Sequence, residues 1–147
     1  LDVLVFKNTV WDLLRSINEH LNDSFLPASV AQGLTLLQFR ALLEIKEHGG
    51  HSVGSLGRAL CVASANASSM CKRLEQDGLL ERVRDLSDER VVNLRLTARG
   101  IAAVQEVEDS LRARFSPTMD SQSEETMKSI VAGLENLDAL LQKLSEN

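Results

Sequence analysis

Between Leu74 and Gly100 the hydrophobic period of the chain changes twice, and this constrains the fold of its 147 residues more than any other feature. Up to Asp77 apolar residues recur at every third and fourth position, the rhythm of a helix with one buried face. Gly78 then stands where a helix stop needs a left-handed residue, and Leu79 falls where it should touch Leu74. Beyond it the period drops to two. Leu80 to Arg84 reads as one strand and Val91 to Leu96 as its partner, with Val92, Leu94 and Leu96 inward and Val91, Asn93 and Arg95 outward. Thr97 caps the helix that follows. A turn that only reversed the chain could be two residues long and carry Asn-Gly. This one holds Asp85, Asp88, Glu89 and Arg90, so its tip has a further task.

The rest of the chain reads as helical. A first helix is expected from about Asp2 to Leu21, with Val3, Phe6, Val10, Leu13 and Ile17 on one stripe, and Pro27 and Gly33 bracket a loop. Thr35 with Gln38 has the spacing of a capping box, flanked by Leu34 and Phe39 as an apolar staple, and Gly49-Gly50 stops that helix. A short helix is expected from Val53 to Leu60 behind Ser52, and another from about Ala63 to Asp77. The helix after Thr97 is expected to reach Phe115 and to end at Pro117. The last opens with Ser121 and Glu124 and continues to about Leu144.

Two short helices, a tight turn and a ribbon make a winged helix-turn-helix, in which the second helix enters the major groove of DNA. Ala67, Met70, Cys71 and Leu74 form its inward stripe, leaving Ser64, Asn66, Ser68, Ser69, Lys72 and Arg73 outward. Asparagine pairs bidentately with adenine, small hydroxyls reach base edges or phosphates, and Lys72 and Arg73 neutralise backbone charge. Ala63 and Ala65 are small enough to let the helix end approach a duplex. The same residues would also suit the solvated face of any surface helix. On the ribbon, Arg84 adds charge and Arg90 can enter a minor groove, with Asp88 holding its guanidinium in one rotamer. The bland alternative is an exposed ion pair worth about 0–1 kcal/mol.

The formal net charge of −5 conceals an uneven distribution. From Ser52 to Arg99 the segment is +2, so the remainder carries −7. Binding follows the local field, so a mildly basic centre between acidic flanks is compatible with DNA.

The run Leu74-Glu75-Gln76-Asp77-Gly78-Leu79, then Asp88-Glu89-Arg90, then Leu94-Arg95-Leu96-Thr97-Ala98-Arg99-Gly100 resembles the signature of the MarR family of transcriptional regulators. Helix order and lengths extend the resemblance over almost the whole chain. It implies a mostly α, winged helix-turn-helix protein with a two-stranded β-wing and long N- and C-terminal dimerisation helices. It also implies a homodimer in which Arg90 reaches the minor groove of double-stranded DNA. Residues 34–100 would form the DNA-binding lobe, and residues 1–33 with 101–147 the dimerisation helices. Glu89 departs from the basic or small residue often found at its place.

The last helix repeats every seven residues through Met127, Ile130, Leu134, Leu137, Leu141 and Leu144. With the stripe of the first helix this makes two apolar seams, more than one small lobe can cover, so a second copy is the expected partner. An internal helical hairpin is the alternative. The resemblance further implies a small aromatic or anionic effector. Trp11, Arg15, Phe39 and Arg40, with His20 nearby, are candidates to line its crevice. Each has an ordinary alternative: Trp11 and Phe39 as core, Arg15 and Arg40 as solvated surface, His20 as a helix-end residue.

Other function classes find little to start from. Three scattered histidines, no phosphate-cradling glycine loop and no nucleophile motif argue against an enzyme, and no cofactor is expected. His48 and His51 lack the companions of a closed zinc site. Some relatives carry a redox cysteine in the first helix; Cys61 and Cys71 lie elsewhere, and a redox role for either stays open. Without an 18-residue apolar run or a secretory leader in these residues, no membrane partner and a cytoplasmic location are expected. A winged-helix module that binds protein instead of DNA remains the runner-up.

Overall fold

The computed structural model describes residues 2–146. The elements, in chain order, are α1 (Val3–Ala31), α2 (Leu36–His48), α3 (Val53–Ala59), α4 (Ser64–Gln76), β1 (Leu80–Arg84), β2 (Val92–Leu96), α5 (Ala98–Asp120) and α6 (Glu124–Ser145). This is the mostly helical winged helix-turn-helix with a two-stranded wing that the sequence led us to expect. One compact unit ends at Leu111 and a second begins at Arg112, within α5.

In the first unit the core gathers Phe39, Leu42 and Ile45 of α2, Leu56 of α3, and Ala67, Met70, Cys71 and Leu74 of α4. Leu80, Leu94 and Leu96 of the ribbon join them, with Val104 and Val107 of α5. Each wholly buried leucine contributes about 1.5–3 kcal/mol. A Cβ on Gly57 would stand 3.0 Å from the Ala67 methyl, so the bare glycine lets α3 and α4 approach closely. Between these helices Cys61 takes a left-handed conformation (φ 56°), and the Val62 amide bonds the Gly57 carbonyl at 2.9 Å. The turn is a glycine-type helix stop built on a cysteine.

Local signals place most boundaries. Thr35 and Gln38 form a reciprocal capping box, as do Ser52 and Ser55. At the end of α4, Gly78 is left-handed (φ 73°) and the Leu79 amide reaches back to the Leu74 carbonyl at 3.0 Å. The strands pair antiparallel, Leu80 with Leu96 through Arg84 with Val92, so Leu80 of β1 shares the core face with Leu94 and Leu96 of β2, while Arg82 and Arg84 opposite Leu94 and Val92 stay exposed. The Leu94 amide also donates to the His51 carbonyl at 2.7 Å, tying the ribbon to the chain just before α3.

Three boundaries differ from expectation. The first helix does not end near Leu21 but continues through Pro27 to Ala31. Proline removes a single amide donor there, and the following turn is anchored by buried Ala28 and Ser29. The Ser29 hydroxyl bonds the Leu26 carbonyl (3.0 Å), and the Leu34 amide closes the helix on the Ser29 carbonyl (3.0 Å). Likewise α5 passes Pro117 and ends at Asp120, less than one turn later. The last helix is capped by Ser123, whose hydroxyl accepts from the Thr126 amide at 3.0 Å, and not by Ser121. Ser121 is occupied, donating to the Thr118 carbonyl at 2.6 Å.

In the second unit, none of the described residues of α6 is buried, and Ile130, Leu134, Leu141 and Leu144 are exposed. Among the described residues no helix is long and apolar enough to cross a membrane.

Of the glycines, Gly100 is the most closely approached: a Cβ there would stand 2.0 Å from the Leu79 carbonyl oxygen. Backbone cannot yield as a flexible side chain would. Gly100→Ala should therefore lower unfolding free energy by about 3 kcal/mol in urea titration, whereas Gly133→Ala, with nothing within 4 Å, should not lower it.

Candidate nucleic-acid interface

Helix α4 carries opposite chemistries on its two sides. Ala67, Met70, Cys71 and Leu74 are buried, and Ser64, Asn66, Ser68, Ser69, Lys72 and Arg73 are all exposed. Its first turn has no side-chain cap, because Ala63 supplies none. The leading amides, next to exposed Ala63 and Ala65, are thus open to an outside acceptor such as a phosphate. Arg73 is paired with Asp77 at 3.3 Å, an exposed contact that a phosphate can displace. Burial pushes the Cys71 thiol above its usual pKa, partly opposed by the nearby Arg82 charge. That favours the neutral thiol of a packing residue.

The ribbon is tied to α4 by charge as well as by packing. Arg82 Nε on β1 lies 3.0 Å from both carboxylate oxygens of Glu75 on α4. Across the strands Arg95 meets Glu81 at 2.9 Å, where the register sets them opposite. Arg84, Asp88 and Arg90 are exposed on the ribbon and its tip.

The tip is folded by its two aspartates. Asp85 Oδ1 accepts from the Ser87 amide at 2.7 Å, from the Ser87 hydroxyl and from the Asp88 amide at 3.3 Å. The Ser87 hydroxyl, then the Ser87 and Asp88 amides, hold the Asp85 carboxyl below the usual carboxylate range. Asp88 Oδ1 accepts from the Arg90 amide at 3.0 Å, so this carboxylate fixes the backbone of Arg90 and not, as the sequence suggested, its guanidinium. A short side chain two residues away reaches the amide more readily than the end of a long arginine. The Arg90 guanidinium is left exposed to solvent.

Two features escaped sequence reasoning. His51, considered there only as a metal ligand, anchors the wing through its carbonyl. Its ring bridges Ser55 Oγ (3.0 Å) and Glu44 Oε1 (3.1 Å), and His48 Nδ1 lies 3.3 Å from that same oxygen. The capping spacing Ser52-x-x-Ser55 was the available signal. Leu86, an apolar residue inside the charged tip, was also passed over.

A groove of about 440 Å³ lies between α1 and α2, lined by Asn18, Leu21, Asn22, Phe25, Leu36, Phe39, Arg40 and Leu43. Of the four residues proposed for an effector crevice, Phe39 and Arg40 line it and Trp11 and Arg15 do not. Phe39 is core, at 2 % exposure. Trp11 is not core, as its alternative reading had it, but 66 % exposed, and Arg15 pairs with Asp12 at 3.1 Å on the exposed surface of the same helix.

Known proteins share this arrangement. The sequence pattern described as MarR family matches residues 34–92. The organic hydroperoxide resistance transcriptional regulator of Bacillus subtilis (strain 168) is 32 % identical over 99 residues, covering 67 % of each chain. The HTH-type transcriptional repressor MdtR of the same organism is 28 % identical over 114 residues, 78 % of this chain and 74 % of its own. The crystal structure of NadR in complex with 4-hydroxyphenylacetate superposes with a TM-score of 0.72 at 26 % identity, over 84 % of this chain and 88 % of NadR.

The Ser87 hydroxyl is the largest influence on Asp85. Its stabilising effect on the tip is complete above the ordinary value of 3.8 and is lost as pH falls through the lower folded value. Ser87→Ala should move the Asp85 carboxyl back toward 3.8, read by NMR titration of its side-chain carbon.

Proposed function

This chain belongs to the MarR family of DNA-binding transcriptional regulators, and we propose that it acts as a homodimeric repressor on a palindromic operator and is released by a small ligand. The observation that carries the reading is the division of α4 into a buried apolar stripe and an exposed row of Ser, Asn, Lys and Arg, clamped to an arginine-bearing ribbon. On DNA, Ser64, Asn66, Ser68 and Ser69 face the major groove, with Asn66 suited to adenine. Lys72, Arg73 and Arg84 neutralise phosphates and the uncapped start of α4 receives one more. Arg90 enters the adjacent minor groove, and Asp88 sets the backbone from which it projects.

The dimer is supported by apolar side chains left uncovered. Val3, Leu4, Trp11, Leu13 and Ile17 of α1 are exposed, and so are Ile130, Leu134, Leu141 and Leu144 of the seven-residue row of α6. A second copy covers both, so that residues 1–33 and 101–147 serve dimerisation and residues 34–100 bind DNA. Two recognition helices about 34 Å apart then meet successive major grooves on one face of the duplex.

The groove between α1 and α2 suits the effector: Phe39 and Leu36 supply apolar wall, Arg40 a cation, Asn18 and Asn22 hydrogen-bonding groups. An aromatic acid matches that set, and the NadR complex shows that a protein of this fold takes one. Release follows if the ligand binds better to a dimer whose helices are wrongly spaced for DNA. Exposed Glu89 beside Arg90 favours a second reading, a winged-helix module that binds protein, and failure to enrich any sequence from a random DNA pool would support it.

Sedimentation at micromolar concentration should give a dimer, and a monomer would refute this part of the proposal. On an operator selected from the pool, Arg90→Ala should reduce the slope of log affinity against log salt by about one unit for each wing engaged. An unchanged slope would remove Arg90 from the groove.

A further inference from the structure

Leu86 stands at the apex of the ribbon at 105 % relative exposure, so its side chain contributes nothing to the packing of this chain. Arg84 and Arg90, both exposed, lie on either side of it in sequence. The apex is held by the Asp85 bonds to Ser87 and Asp88, by Asp88 to the Arg90 amide, and by the Val91 amide to the Asp88 carbonyl at 2.9 Å. The Asp85 amide closes the loop on the Val91 carbonyl at 2.9 Å. Both aspartate carboxylates are thereby turned onto loop amides. The apolar Leu86 is left on the outside, where a DNA-binding tip would ordinarily carry a polar or charged residue.

We propose that Leu86 is an apolar contact of the wing in the minor groove, packed against deoxyribose and base edges beside Arg90. This rests on the DNA-binding reading of the wing. The walls of that groove are lined by sugar C–H groups, and a leucine laid against them leaves water at no cost in ions. Apolar side chains pressed between base steps unstack them, and pyrimidine–purine steps yield most easily. Leu86 therefore adds a preference for a deformable step at each end of the operator, at positions that Arg90 reads only by potential. A loop already fixed by its hydrogen bonds loses little entropy when the contact forms.

An apolar contact and a phosphate contact differ in their salt signature, and the test uses that difference. Binding of the full chain to the selected operator is measured by anisotropy across salt concentrations for wild type, Leu86→Ser, Leu86→Met and Arg90→Ala. Leu86→Ser should weaken binding on the order of tenfold with the salt slope unchanged. Leu86→Met should bind as wild type, and 2-aminopurine at the contacted step should brighten with wild type but not with Leu86→Ser. Thermal unfolding of Leu86→Ser should match wild type, since the side chain is wholly exposed. Wild-type affinity for Leu86→Ser, with Arg90→Ala weakened, overturns the proposal and leaves the DNA-binding wing standing. A changed salt slope in Leu86→Ser also overturns it, by assigning the effect to loop charge. Wild-type affinity for both Leu86→Ser and Arg90→Ala brings down the wing reading itself.

Discussion

Leu79 is the joint on which the placement of α4 and the ribbon depends. Its amide closes α4 on the Leu74 carbonyl, its side chain is buried, and its carbonyl accepts from the Thr97 amide at 3.2 Å where β2 gives way to α5. Gly100 then passes so close to that carbonyl that no side chain fits. The Thr97 hydroxyl completes the joint, donating to the Gly78 carbonyl and accepting from the Gly100 amide. The end of one helix, both ends of a ribbon and the start of another helix thus share a few backbone groups. Helix α4 and the ribbon are set by the same backbone groups.

On the proposed reading, an acidic protein meets DNA without a large basic patch. Three of the basic side chains near the Leu79 joint are paired with carboxylates of the same unit: Arg82 with Glu75, Arg95 with Glu81, and Arg73 with Asp77. The carboxylates of Asp85 and Asp88 are likewise occupied with loop amides. What remains outward is a small, ordered set: the polar face of α4, its uncapped amides, Arg84, Arg90 and Leu86. In the proposed dimer, affinity depends on how well a few groups are positioned and on their duplication, more than on total charge.

Much of this was legible in the sequence, because the signals are local. Gly78 with Leu79, the Thr35–Gln38 cap, the cap at Ser52, and the switch to alternation after Leu80 each specify backbone geometry within a few residues. Pro27 and Pro117 misled because a proline ends a helix only when the lost hydrogen bond and the steric clash are not offset by packing or by a nearby terminus, and neither is visible from the proline itself. Ser121 misled because two serines competed for one cap, and the contact with Thr118 that decides between them crosses the end of α5. The outward face of α4 could be read from period alone. The role of Asp88 could not, since amide and guanidinium of the same arginine were both within its reach. The unused exposure of Leu86 and Trp11 was hidden because apolar residues in a sequence are first assumed to be buried.

The account stands or falls on two copies of this lobe meeting one face of a duplex. Hydroxyl-radical and methylation footprinting of the full chain on its selected operator tests it most directly. Two protected major-groove patches about one helical turn apart, each flanked by a protected minor groove on the outer side, is the predicted result. Protection of a single groove, or of two patches on opposite faces of the helix, would contradict it.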